Sequence, residues 1–175
     1  MKFGLVVCAL VMVSCGKKEM QDQAPLATQG EAQIQEMISS LYQGFARAYN
    51  EGGVNTDSLI DAYYDKGIHY VTPWGWTEPI DSTKARLRGA ATHVKEYSAH
   101  IEGLQVKTYG EGAYAFFILR QSTKVDSTLL EEYLPTTVVL ERREEGWKIV
   151  HAHRSTDYQT LEQYIAMQKK KSAAK

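Results

Sequence analysis

The sequence predicts an α+β domain, with helices gathered in the first half and strands joined by tight turns in the second. Three observations predict it. Apolar residues recur at helical spacing over residues 31–50. From about residue 100 to 155 the pattern changes to strand alternation, punctuated by Gly110-Glu111-Gly112, Asp126-Ser127 and Glu144-Glu145-Gly146. Helices and strands are therefore segregated along the chain, the signature of an antiparallel meander beside helices.

The first element is not part of the fold. Lys2 is followed by the uncharged, largely apolar run Phe3–Val13. A membrane-spanning helix needs about 20 such residues, so the run reads as the core of a signal peptide over residues 1–14. Met12-Val13-Ser14-Cys15 resembles a bacterial lipobox. That resemblance implies cleavage before Cys15 and a diacylglycerol on its thiol, placing the domain at the bacterial cell envelope on a lipid anchor. An ordinary secretory signal with an incidental cysteine is the alternative. Cleavage also removes Cys8, the other of the two cysteines, so no internal disulfide is expected even in an oxidising compartment. Residues 15–30 contain Gln, Lys, Ala and Pro25 without a hydrophobic period, and read as a flexible tether.

The domain proper is expected over residues 31–158. Ile34, Met37, Ile38, Leu41, Phe45, Ala48 and Tyr49 form the stripe of a first helix that ends at Gly52-Gly53. Gly44 sits inside it at a cost of about 1 kcal/mol against alanine, which predicts close approach of another element. Asp57 is positioned to cap a short helix through Tyr64. Gly67–Thr72 reads as a strand, and Pro73-Trp74-Gly75-Trp76 as an aromatic loop. Asp81 is positioned to cap a third helix over Ser82–Tyr97, with Leu87, Ala90, Ala91, Val94 and Tyr97 on one face. Four strands follow: His100–Tyr109, Ala113–Val125, Leu130–Arg143 and Trp147–Ser155, with Pro135 at a bulge or edge. Thr156 or Asp157 caps a last helix carrying Tyr158, Leu161, Tyr164 and Ile165. Residues 159–175 add a basic end around Lys169-Lys170-Lys171, which is either a solvated helix end or attracted to anionic lipid.

Composition excludes several classes. The 175 residues carry a net charge of −1, and residues 31–158 hold 13 Lys and Arg against 18 Asp and Glu, a net of −5. A nucleic-acid partner would want a basic face. A mean hydropathy of −0.38 excludes a multispan membrane protein. No internal repeat points to a solenoid.

Glu141-Arg142-Arg143-Glu144-Glu145-Gly146-Trp147-Lys148-Ile149-Val150-His151-Ala152-His153-Arg154-Ser155 resembles the final hairpin of nuclear-transport-factor-two-like domains, more narrowly their SnoaL-like branch. It is also similar to the association domain of calcium/calmodulin-dependent protein kinase two. The likeness runs through Phe116-Phe117-Ile118-Leu119-Arg120-Gln121 and covers about Ile34 to Ser155. It implies a cystatin-like fold, a curved antiparallel sheet wrapped as a cone around N-terminal helices, and homodimers that pack their open sheet faces. It does not fix a function, since such folds serve isomerases, cyclases, dehydratases, adaptors and hubs. The kinase family lines its pocket with arginines. One falls on Arg120 here; another falls on Val138, which is not arginine; a third belongs to the helix-three region, where Arg86, Arg88 and Lys95 are among the basic residues.

The candidate site residues follow. Arg120 shares a strand face with Tyr114, Phe116 and Ile118, and needs either a carboxylate partner or an anionic ligand. His151 and His153 are two apart on a strand and point to one face, expected to be that of Trp147 and Ile149. They are half a metal site at most; core packing or a pocket hydrogen-bond or acid/base role is the stronger expectation. Trp74 and Trp76 either grip a ligand at the cone mouth or plug it. Tyr49 and Tyr64 either line the interior or pack the core. No catalytic carboxylate is evident on an inner face, and no nucleophile triad or phosphate loop points to a cofactor. Three functions stay open: a tethered homodimer binding a small molecule or peptide, a SnoaL-like enzyme acting on a small cyclic or carbonyl substrate, and an interaction module of the envelope.

Overall fold

The computed structural model describes residues 24–52, 54–125 and 127–173. The signal-peptide run, Cys8 and the lipidation candidate Cys15 lie outside them, as do Gly53 and Asp126 of the expected turns. The first helix, α1 (Ala24–Asn50), turns its apolar stripe inward, burying Ile34, Ile38, Leu41, Tyr42 and Phe45. It begins inside the segment read as a tether. Gly30 is buried there against the sheet, and a Cβ on it would stand 3.4 Å from Thr108 Cγ2 and 3.7 Å from Trp147 Cζ2. Gly44 admits the neighbouring helix: a Cβ there would come within 2.6 Å of Leu59 Cδ2.

That neighbour is α2 (Thr56–Tyr63), capped by Asn55 and not by Asp57: the Asn55 Oδ1 accepts the Asp57 N–H at 2.8 Å. β1 (Tyr64–Val71) and the two-residue β2 (Thr77–Glu78) follow, then α3 (Ile80–Ala91). α3 is shorter than expected. The Thr92 hydroxyl donates to the Gly89 carbonyl at 2.8 Å and closes the helix. Val94 and Tyr97 therefore belong to β3 (Val94–Tyr109), as its first inward residues. Asn50 at the end of α1 pins this start: its amide accepts the Tyr97 N–H at 2.7 Å and donates to the Tyr97 carbonyl at 2.8 Å.

β4 (Gly112–Val125), β5 (Thr128–Arg143) and β6 (Gly146–Arg154) complete a six-stranded sheet ordered β2-β1-β6-β5-β4-β3. The fold is the expected cystatin-like α+β arrangement, with a curved sheet that is not closed. One detail is corrected. The sheet is mixed and not wholly antiparallel, because β1 pairs with β6 in parallel. β1 and β6 are separated in sequence by α3 and the whole meander, and such a long crossover permits parallel pairing. Pro135 lies inside β5 at the point where pairing with β6 runs out, so its missing N–H interrupts no ladder bond there.

Ala113, Ala115, Phe117 and Leu119 of β4 face Leu134, Val138 and Leu140 of β5 across the inner surface, and these close on α1 as the core. Finally α4 (Tyr158–Ala173) lies against β5, started by Asp157, whose Oδ1 accepts the Thr160 N–H at 2.7 Å.

Candidate functional site

The inner wall of the sheet changes character along its length. β4 and β5 pair Leu119 with Leu134 in the core, and the next inward pair is Gln121 with Glu132. Beyond this polar step the sheet, α1, α2 and α3 enclose a cavity of about 290 Å³. Tyr42, Phe45 and Tyr49 of α1, Tyr64 and Tyr70 of β1, and Tyr97 of β3 form its aromatic wall, while Thr83, Leu87 and Ala90 of α3 form another side. Its charged groups are Arg154, Glu132 and, with Glu78 as its partner, Arg86.

Arg154 enters the cavity because β6 is irregular. Leu140 pairs with Ile149 but Val139 pairs with His151, so Val150 is a bulged extra residue. Trp147 and Ile149 face inward before the bulge; after it the inward positions are Ala152 and Arg154, and His151 and His153 face outward. The Arg154 Nη2 donates to the Tyr42 hydroxyl at 2.8 Å, and its Cζ stands 5.8 Å from the ring centroids of Tyr42 and Tyr70. Its Nε is buried without a hydrogen-bond partner. Among the described residues no carboxylate lies within 4.0 Å of the guanidinium.

Glu132 is 8% exposed. Its Oε1 accepts the Tyr164 hydroxyl of α4 at 2.8 Å, and its Oε2 accepts the Gln121 Nε2. The Gln121 Oε1 in turn accepts the Tyr97 hydroxyl at 3.2 Å. Burial, and for Tyr164 also the Glu132 charge, pushes the Tyr64, Tyr97 and Tyr164 phenols well above their ordinary values, so they remain donors at neutral pH. At the rim, Arg86 holds Glu78 through Nε at 3.1 Å and Nη2 at 2.9 Å. Burial alone would raise the Glu78 carboxyl, but these bonds and that from Thr83 outweigh it and hold it low.

The sequence-predicted residues fall in different places. Tyr49 and Tyr64 line the cavity. Arg120 does not: it lies on the outer face, where its Nε donates to Glu102 at 2.7 Å and its Cζ stands 4.8 Å from the Tyr133 ring. The reason is parity, since β4 turns its odd-numbered residues inward. His151 and His153 share that outer face because of the bulge, and among the described residues no three His, Cys, Asp or Glu side chains gather as a metal site. Trp74 packs edge-on against Tyr164 with centroids 4.4 Å apart and stacks on the exposed Trp76, so Trp74 stands one layer outside the cavity lining and Trp76 beyond it. Arg154 was hidden by the bulge. Glu132 is the inner-face carboxylate that sequence reasoning missed; its signal was the alternation Leu130, Glu132, Leu134, blurred by the adjacent Glu131.

A family model of the SnoaL-like domain matches residues 38–159. No curated protein matches the sequence. Among solved structures, a candidate dehydratase of the NTF2-like family from Streptomyces avermitilis aligns with a TM-score of 0.63 at 13% identity, covering 74% of this chain and 97% of that one. An NTF2-like superfamily protein from Salmonella enterica serovar Typhimurium aligns with a TM-score of 0.63 at 15% identity, covering 74% of this chain and 92% of that one. A candidate calcium/calmodulin-dependent kinase II association domain from Exiguobacterium sibiricum aligns with a TM-score of 0.60 at 10% identity, covering 79% of this chain and 97% of that one. At these identities the solved structures carry the fold alone.

Proposed function

The chain belongs to the SnoaL-like domain family, and on that premise we propose that it binds a small organic carboxylate in the cone of its sheet, with Arg154 as the anion's partner. The observation that carries this reading is the buried, unpartnered Nε of Arg154, in a guanidinium with no carboxylate beside it among the described residues. A guanidinium offers five donors in a planar fork suited to a carboxylate, and an uncompensated buried charge is costly. The open volume of about 290 Å³ also favours a ligand over a pure interaction module, whose own side chains would fill the cone.

The test is calorimetric titration of the full chain with a panel of short aliphatic and aromatic carboxylates. Arg154→Met is expected to weaken binding about 10- to 100-fold, the worth of a charged hydrogen-bonded contact. Arg120→Met, on the outer face, is expected to leave it unchanged. Equal binding by the wild-type chain and Arg154→Met refutes the reading.

A second reading, a SnoaL-like enzyme of the isomerase, cyclase or dehydratase type, is favoured by one observation: Glu132 supplies a carboxylate on the inner wall, hydrogen-bonded to a phenol. Proton transfer needs such a group within reach of substrate. Candidate dehydratases from Streptomyces avermitilis and Novosphingobium aromaticivorans share the fold. Turnover of a hydroxylated cyclic substrate that is lost in Glu132→Gln would establish it.

We also propose that the mature protein is tethered at the cell envelope through lipid on Cys15, on the strength of the apolar run and Met12-Val13-Ser14-Cys15. No described helix is long and apolar enough to cross a membrane. Mass spectrometry of the membrane fraction is expected to find an acylated N-terminal Cys15; a free thiol there rejects the tether.

A further inference from the structure

We infer that the ligand of this cavity is a zwitterion, with its carboxylate at Arg154 and a protonated amine at Glu132. This rests on the reading of the cavity as a carboxylate site and adds the second charge.

The cavity holds two opposite charges that do not neutralise each other. Arg154 stands opposite Thr136 in the β5–β6 ladder, and Glu132 lies four residues further along β5. At about 3.3 Å per strand residue, the two backbone positions are roughly 13 Å apart along the strand. Neither side chain has an ion-pair partner within 4.0 Å among the described residues. The third charged group of the lining, Arg86, is already committed to Glu78 through Nε and Nη2. Buried ions are ordinarily paired, and here both lie in the wall of one cavity.

Glu132 keeps acceptor capacity for a ligand. Its two hydrogen-bond donors, Tyr164 and Gln121, are both neutral. An ionised carboxylate offers about four lone-pair sites, so room remains for a charged donor. Gln121 cannot turn over without setting its Oε1 against the acceptor-only Glu132 carboxylate, which fixes its amide as a donor there and leaves its Oε1 to accept the Tyr97 hydroxyl at 3.2 Å. The lining of the same cavity is otherwise largely apolar and aromatic, with Phe45, Ile60 and Tyr97 among it. That wall suits a methylene stem, and aromatic faces also attract an ammonium group. A simple carboxylic acid would leave Glu132 uncompensated, and a simple amine would leave Arg154 so.

The test is calorimetric titration of the full chain with ω-aminohexanoate, hexanoate and hexylamine. The amino acid is expected to bind at least about tenfold tighter than hexanoate, an advantage that disappears in Glu132→Gln, while Arg154→Met weakens both acids. The unmutated chain gives a second measurement that needs no variant to fold. Across ω-aminobutanoate to ω-amino-octanoate, the gain over the matching acid is expected to peak at one length, as fixed charge positions require. Hexanoate binding as tightly as ω-aminohexanoate, with no optimum in the series, overturns the zwitterion and leaves the carboxylate site standing. Failure of every acid in both series to bind overturns both. Hexylamine binding as tightly as ω-aminohexanoate overturns the zwitterion, and equal hexanoate binding by the wild-type chain and Arg154→Met then overturns the carboxylate site as well.

Discussion

Arg154 is held by neutral groups: one phenol hydroxyl and two ring faces. Replacing a buried charge that lacks an ionic partner by an apolar side chain of similar length is often neutral or stabilising. Arg154→Met is therefore expected to keep thermal stability within about 1 kcal/mol of wild type, or to raise it, even as it loses carboxylate binding. A melting curve showing a loss above about 3 kcal/mol makes Arg154 a structural residue instead. This position also shows where reading from sequence stops. Strand alternation carried on from Trp147 and Ile149 puts His151 and His153 inside and Arg154 outside. One bulged residue, Val150, reverses every face after it, and nothing in the residue types announces it. Glu132 was obscured more simply, because either member of Glu131-Glu132 could face inward. Tyr49 was legible on the apolar stripe of α1, whereas Tyr64, read as the end of the second helix, opens β1 instead.

At the scale of elements, long periodic segments were legible and their ends were not. The stripe of α1 and the meander lie close to their expected positions. The boundary between α3 and β3 moved because Val94 and Tyr97 suit a helix stripe as well as a strand face, and the choice is made by distant Asn50. α4 is the element whose hold depends most visibly on one residue. Hydrogen bonds from Thr160, its hydroxyl first and its N–H second, hold the Asp157 carboxyl below its ordinary range. A depressed carboxylate stabilises the fold above its unfolded pKa of about 3.9 and loses that contribution as pH falls through the lower folded value. Hydrogen exchange is expected to show the first turn of α4 opening as pH drops below about 4. Asp157→Asn, a cap that does not titrate, is expected to remove the dependence. Asp157→Ala is expected to cost about 1 kcal/mol at neutral pH. Since Tyr164 of α4 donates to Glu132, the same variant is expected to weaken ligand binding. A pH-independent α4 in the wild-type chain contradicts this account.

For the whole molecule, the open side of the sheet poses the remaining question. Its outer face exposes Tyr109 at 66%, Tyr114 and Phe116 at 39% and Val139 at 38%. Tyr109 and Tyr114 stack with centroids 6.2 Å apart, and Tyr114 pairs with Val139 across the ladder. Contiguous exposed aromatics of this kind mark an interaction surface. We propose that a second copy covers it, the arrangement that the resemblance to nuclear-transport-factor-two-like domains implies. A stable dimer buries about 1,200–2,000 Å² in total, an area that an open multi-stranded sheet can supply. Sedimentation at micromolar concentration is expected to show a dimer. Phe116→Glu is the sharper test. Its side chain lies on the outer face, so the fold and the cavity are expected to survive, whereas two carboxylates brought into an apolar interface pay an unpaired desolvation cost. The variant is expected to sediment as a monomer with an unchanged far-ultraviolet spectrum and unchanged carboxylate affinity. A wild-type chain that stays monomeric rejects the dimer. A Phe116→Glu chain that stays dimeric moves the interface away from this face. Because the proposed interface and the cavity lie on opposite faces of the sheet, loss of assembly without loss of binding is the expected outcome.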